Sequence, residues 1–192
     1  NVIEGIVVNS QGQRFLPEDT YHGVLGDAIA YHQDGKAWLI TDTDSAYKYK
    51  QDNFLAVASA NTFSEIERLI GFPEGALENT VEYYNRFAKV GSDPLFKKSD
   101  QYLRPLTGPY TVWDLSVTNA FFPAHTFGGL RTSVDSRVIS ANAEIIPRLF
   151  AVGRTSAGIP IAPYFASGLS VGDSTFFGRI AGSKAADSGD TM

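Results

Sequence analysis

Apolar runs broken by polar turns divide this chain into short strands and amphipathic helices. The run from Val2 to Asn9 opens as a strand, and residues 6–15 read as a hairpin, two short strands about a polar turn holding Gly12. Val24, Leu25, Ala28 and Ile29 fall at helical spacing in residues 23–32. Residues 36–42 form a buried strand closed by a polar turn at 42–45, and residues 54–58 are a short apolar run. In residues 61–71, a capping signal precedes Phe63, Ile66, Leu69 and Ile70, and Gly71 ends the predicted helix. A second helix lies within residues 73–88, its apolar face made by Leu77, Val81, Tyr84, Phe87 and Ala88. From Thr111 onward short strands dominate, with a hairpin predicted from residues 134–139 and 143–146.

The last long pattern differs. Residues 148–153 predict a short buried strand, followed by small residues, Pro160-Ile161-Ala162-Pro163-Tyr164, and a helix starting near Ser167-Gly168. Gly168, Gly172, Gly178 and Gly182 punctuate that helix, and each costs roughly 1 kcal/mol against alanine in an exposed helix interior. Such spacing predicts close approach to the backbone by another element or a ligand. The first N–H groups of the helix, near residues 168–170, favour electron-rich or anionic atoms. Strand, loop and helix N-terminus together form the geometry of a cofactor site, although the same unit also serves plain packing in many α/β proteins.

Composition narrows the chemistry. The 192 residues are 43% hydrophobic and 12% aromatic, enough for a packed core, and the net charge of −5 comes with scattered basic residues. No basic stripe points to nucleic acid. Without cysteine there is no disulfide, thiolate metal site or thiol nucleophile. The three histidines are scattered outside any paired ligand pattern, so no metal is expected. No apolar run approaches the roughly 20 residues of a membrane span, and a cytoplasmic location is expected. Ser167 and Ser170 lack the Gly-x-Ser-x-Gly elbow of a hydrolase. No Gly-x-Gly-x-x-Gly turn follows any strand.

Several segments resemble one family. Leu149-Phe150-Ala151-Val152-Gly153, the small-residue loop and Gly178-Arg179-Ile180-Ala181-Gly182 are similar to the C-terminal end of flavoproteins that include fumarate reductases and 3-ketosteroid dehydrogenases. Gln13-Arg14-Phe15 before Pro17-Glu18, Thr80-Val81 before Tyr84-Asn85, and Thr126-Phe127-Gly128-Gly129-Leu130 resemble further parts of it. The resemblance implies an α+β fold. Residues 5–115 would be a capping (lid) domain with a small sheet and helices. Residues 1–4 and 116–192 would be returning strands and the last helix of an incomplete, Rossmann-like FAD-binding domain. The chain is then expected to be the C-terminal part of a longer protein and, alone, neither to hold FAD firmly nor to turn over.

The same resemblance assigns roles. Fumarate-reducing members clamp a dicarboxylate with arginine, through bidentate guanidinium contacts. Laying Ser167-Gly168 on their Gly-Gly puts Phe165 at that arginine, which implies a bulky, apolar, steroid-like substrate. Tyr164 and the Gly168 N–H match the pair that holds a steroid's C3 ketone, and Tyr21 in the lid matches the tyrosine that takes the α-proton, with Tyr47 in reserve. His125 falls where substrate is bound ahead of the Gly-Gly turn. Gly153, Ser167, Gly168, Leu169 and Ser170 would line the flavin. The implied activity is FAD-dependent desaturation of a 3-ketosteroid to an unidentified electron acceptor. A fumarate-reductase-like enzyme for another enoate and a non-catalytic folded fragment are the alternatives.

Overall fold

Side chains alternate across a strand, so one strand can feed two cores. The computed structural model, which describes residues 3–42, 45–46, 54–120 and 126–187, shows this at once. In β1 (Ile6–Val8), Ile6 and Val8 face one apolar cluster and Val7 the other. The chain divides into two compact units, Asn1–Phe122 and Pro123–Met192. The elements form a mixed α+β arrangement, as the resemblance implies. Tyr47 and His125 lie outside the described residues.

The first unit is built on an antiparallel sheet of order β1-β2-β4-β3, with β2 at Trp38–Asp42, β3 at Leu55–Ala60 and β4 at Tyr110–Asp114. Ile6 pairs with Ile40, and Leu39 with Trp113. Helix α1 (His22–His32) packs Leu25 and Ile29 against Val7, Leu39 and Trp113 on one face. Helices α2 (Phe63–Ile70) and α3 (Ala76–Ala88) cover the other with Ile66, Leu77, Val81 and Tyr84.

Both of these helices begin as polar chemistry dictates. Thr62 and Glu65 form a reciprocal capping box on α2, and Gly71 closes it in the left-handed conformation at φ 88°. Helix α3 has no side-chain cap of its own, because Gly75 precedes it. Its orphan N–H groups are met instead by buried Glu67 of α2, which accepts from Gly75 (2.8 Å), Leu77 (2.7 Å) and Glu78 (3.1 Å). Hydrogen bonds to a charged group contribute about 1.5–3 kcal/mol each, and losing the carboxylate leaves buried donors unmet. Glu67→Ala is therefore expected to cost about 2–4 kcal/mol in urea unfolding, with Glu67→Gln, which keeps one acceptor oxygen, retaining part of the loss.

The predicted hairpin at residues 6–15 is only half formed. Its turn is held by Asn9, whose Oδ1 accepts from the Gln11 and Gln13 N–H groups. Beyond it only Val8 and Arg14 pair. Arg14 leaves the sheet because its guanidinium is drawn inward to two carboxylates. Nε and Nη2 donate to Glu18 at 2.8 and 2.7 Å, and Nη1 and Nη2 donate to Asp93 at 3.2 and 2.8 Å. The Tyr84 and Phe96 rings lie 4.9 Å from its central carbon. Lys98 adds a second buried cation, donating to the Gly5 carbonyl at 2.8 Å and lying 3.4 Å from Glu18. Burial alone would raise the Asp93 carboxyl, but Arg14 and the Phe96 and Lys98 N–H groups outweigh it and hold the group below its ordinary range. Burial pushes the Tyr84 phenol up to about 12.

The second unit holds the hairpin of β5 (Arg137–Ile139) and β6 (Ile145–Phe150), then helix α4 (Leu169–Asp187). The strand predicted as buried at residues 148–153 is corrected on two counts. It ends at Phe150 and is exposed over Ile145–Leu149, because it belongs to a two-stranded sheet. Among the described residues nothing makes the close approach predicted along the last helix, since a Cβ at Gly172, Gly178 or Gly182 would meet nothing within 4 Å.

Candidate functional site

Three segments of the second unit converge on the start of α4. Residues 126–130 run beside residues 153–157, tied by the Leu130 N–H to the Thr155 carbonyl (2.8 Å) and the Ala157 N–H to the Leu130 carbonyl (3.0 Å). Glycine is required at 129, where a Cβ would sit 2.6 Å from the Thr155 carbonyl oxygen. Gly153 opens a short 3-10 turn, Gly153–Thr155, packed against Ser174 of α4. That turn sends Arg154 toward the helix start.

Gly168 stands just before α4 at φ 82°, a left-handed conformation, and a Cβ on it would meet nothing within 4 Å. Its carbonyl accepts the first helical bond, from Gly172 at 2.8 Å. Among the described residues the Gly168 and Leu169 N–H groups have no acceptor, as expected at a helix N-terminus. The Ser170 N–H is already engaged. It donates to the Tyr164 hydroxyl at 3.0 Å, and the Tyr164 hydroxyl donates to Ser170 Oγ at 3.0 Å. Arg154 Nη2 donates to Ser170 Oγ at 3.1 Å. The half-buried Tyr164 ring stacks on Phe127 at 5.5 Å and 14°, with Arg154 over the far ring at 6.0 Å. The Ser170 hydroxyl, the Ser170 N–H and then Arg154 hold the Tyr164 phenol below the ordinary tyrosine range.

Phe165 is 58% exposed beside this cluster, and Ser167 is exposed. Buried Asp173 accepts from the Ile159 N–H at 3.2 Å, its carboxylate filling the space where a Gly158 side chain would stand. The partly open cleft between these segments, lined by Phe127, Gly153, Arg154, Ser170 and Asp173, holds about 10 Å³, roughly the room for one water, whereas the space over Gly168 is open, with nothing within 4 Å of a Cβ there. There the groups on offer are N–H donors and a guanidinium, while Asp173 is turned away. This donor set, on backbone bare of side chain at Gly168, fits the electron-rich carbonyl edge of a flavin or a ketone oxygen.

In the first unit, Tyr21 sits immediately before α1, half-buried, its ring 4.1 Å from that of His22. The structure thus brings Tyr164, Gly168, Leu169 and Ser170 together at one helix mouth, with Gly153 one turn away. Arg154 and Phe127 belong to the same cluster and were not singled out from sequence. Their signal was positional, since Arg154 follows the strand's closing glycine and Phe127 lies inside the Gly-Gly turn. Among the described residues no group of three or more His, Asp or Glu side chains is placed to hold a metal, and no helix is long and apolar enough to cross a membrane.

A 3-ketosteroid-delta4-(5alpha)-dehydrogenase from Rhodococcus jostii, solved in complex with 4-androstene-3,17-dione, is 42% identical with a TM-score of 0.83, over 96% of this chain and 39% of that one. A 3-ketosteroid delta1-dehydrogenase from Sterolibacterium denitrificans is 25% identical with a TM-score of 0.76, over 95% of this chain and 38% of that one. An NADH:acrylate oxidoreductase from Vibrio harveyi is 32% identical over 95% of this chain but 18% of its own length. The chain therefore spans well under half of each of these relatives. Residues 4–164 match the model of the FAD binding domain, and the chain belongs to that family of flavoprotein oxidoreductases, among relatives that include steroid dehydrogenases and fumarate and urocanate reductases.

Proposed function

We propose that this chain belongs to an FAD-dependent dehydrogenase that desaturates the ring of a 3-ketosteroid beside its ketone. The observation that carries the reading is the Tyr164 hydroxyl, held against Ser170 in the first turn of α4, the helix that Gly168 precedes. A hydroxyl and a backbone N–H at one helix start suit a ketone oxygen, and Phe165, exposed and apolar, suits a steroid's hydrocarbon face better than a carboxylate.

Tyr164 and the Gly168 N–H hold the C3 oxygen and stabilise the negative charge it gains as the neighbouring carbon loses its proton. Donors aimed at such a charge contribute about 3–4 kcal/mol each. Tyr21, at the N-terminal end of α1 where partial positive charge collects, is the base that takes the proton. FAD would supply the acceptor for the hydride that leaves the adjacent carbon, so that proton and hydride together are lost as the C=C bond forms. The Leu169 N–H and the positive end of α4 would hold FAD, leaving the Gly168 N–H for the ketone. The higher identity to the delta4-(5alpha) relative than to the delta1 relative supports a double bond at C4–C5.

Anaerobic titration of the flavin-loaded full-length protein tests this. A saturated 5α-3-ketosteroid is expected to bleach the flavin absorbance. Bleaching only by dithionite, with reoxidation by an unsaturated diacid, would replace this reading with the enoate reductase one, which the acrylate and fumarate reductase relatives favour. The 192-residue chain prepared alone, lacking a Gly-x-Gly-x-x-Gly turn, is expected to carry no flavin in the same assay.

A further inference from the structure

Tyr21, named above as the base, stands directly before α1 and gives that helix no side-chain cap. Its place is set by the residues that lead into it, Pro17-Glu18-Asp19-Thr20. Glu18, 2% exposed, accepts from the Val7 N–H at 3.1 Å and from Arg14 through both of its oxygens. Asp19 accepts from the Ser99 N–H at 2.9 Å, across 80 residues of sequence. The Thr20 N–H closes the turn on the Pro17 carbonyl at 3.2 Å. The loop that meets this turn is shaped to match it. Asp93 accepts from the Phe96 N–H and the Lys98 N–H, each at 3.3 Å, which brings Lys98 to Glu18 and Ser99 to Asp19. Arg14 joins the two halves, since its guanidinium holds Glu18 and Asp93 at once.

We propose that this buried cluster is the mount of Tyr21, with Arg14 as the positioning residue that sets where the Tyr21 ring stands on the first unit. The inference rests on Tyr21 taking the α-proton, as argued above. A buried ion cluster adds little stability over well-packed apolar residues of the same size, whereas the bidentate contacts of a guanidinium fix direction as well as distance. Glu18 lies three residues before Tyr21, a reach of at most about 10 Å, so a shift of the Glu18 anchor passes along the chain to Tyr21. The Tyr21 carbonyl in turn accepts from the Val24 and Leu25 N–H groups at 2.9 and 3.2 Å, which ties it to the start of α1. A base must come within hydrogen-bond reach of the proton that it takes, and a displacement of about 1 Å can cost about a hundredfold in rate. Arg14→Lys keeps the positive charge but loses the planar fork that grips two carboxylates together.

The test follows flavin bleaching by a saturated 5α-3-ketosteroid in rapid anaerobic mixing, with the flavin-loaded full-length protein. Wild type, Arg14→Lys, Tyr21→Phe and the double variant are compared at a temperature below the unfolding of each. Arg14→Lys is expected to slow the bleaching step roughly tenfold, with the steroid concentration for half-maximal rate unchanged. In the Tyr21→Phe background the same substitution slows it no further. Glu67→Gln, which weakens the fold at the contact of α2 with α3, bleaches at the wild-type rate. Asp19→Ala unties Ser99 without touching the buried charges, and serves if Arg14→Lys does not fold; its slowing also vanishes in Tyr21→Phe. A wild-type rate in folded Arg14→Lys or in Asp19→Ala, a slowing that persists unchanged in the Tyr21→Phe background, or the same slowing in Glu67→Gln overturns the proposal. Tyr21→Phe bleaching as fast as wild type would instead remove the base, and the mount with it, so the two failures are told apart.

Discussion

Tyr164→Phe is expected to lower 3-ketosteroid turnover at least tenfold, and up to roughly a hundredfold, in steady-state assays of the flavin-loaded protein. Removing one preorganised donor from a developing oxyanion typically costs a factor of 10²–10³. The lower bound reflects the Gly168 N–H, which remains. The loss belongs in kcat, because the charge on the ketone oxygen develops only as the proton leaves. Bound flavin is expected to stay, since the ring's contacts are with Phe127 and Ser170 and the packing face is unaltered by loss of one oxygen. Unchanged turnover would remove Tyr164 from the site and the steroid assignment with it.

The second large effect is on stability. Arg14→Met is expected to destabilise the protein by about 3–5 kcal/mol in urea or thermal unfolding, the cost of removing one partner from a buried charge network. Glu18 and Asp93 would then stand buried without the cation that bridges them. Lys98 reaches Glu18 but makes its shortest bond to the Gly5 carbonyl, so it compensates only in part. Arg14→Lys keeps the charge but loses the planar fork, and falls between the two.

The pH dependence has a definite sign. Asp93 has a folded-state pKa below its unfolded value, because Arg14 and backbone N–H groups outweigh burial. Its stabilisation is therefore complete above the unfolded value of about 3.9 and is lost as pH falls through the folded one. In Arg14→Met that contribution disappears. The gap between mutant and wild type should narrow below about pH 4, where the unpartnered carboxylates protonate. A gap that stays constant with pH would mean that Arg14 acts through its stacking on Tyr84 and Phe96 rather than through charge.

Local rules carried much of this fold. Thr62, Glu65 and Gly71 announced α2 because caps are chemistry within one turn, and the face Leu77, Val81, Tyr84 and Ala88 announced α3 because it repeats at helical spacing. Sheet order was not legible. Nothing near Trp113 indicates that β4 enters between β2 and β3, since partner choice is made over distances that periodicity does not reach. Arg14 sits at an alternating position in a polar-looking turn, and besides Glu18 the partners that explain its burial, Asp93 and the Tyr84 and Phe96 rings, are 70 or more residues away. The site divides in the same way. Spacing placed Tyr164 four residues before Gly168, whereas the link from Arg154 through Ser170 exists only once the loop has folded back.

Glu67 gives one of these contacts a wider meaning. A single carboxylate that completes the start of α3 from within α2 makes neither helix independent of the other. Opening α2 would strip three amides of their acceptor in the same event, so the pair should exchange its protons for deuterium as one block. The layer over that face of the first unit's sheet then loosens all at once or not at all, so the two helices have one shared opening event rather than separate frayed ends.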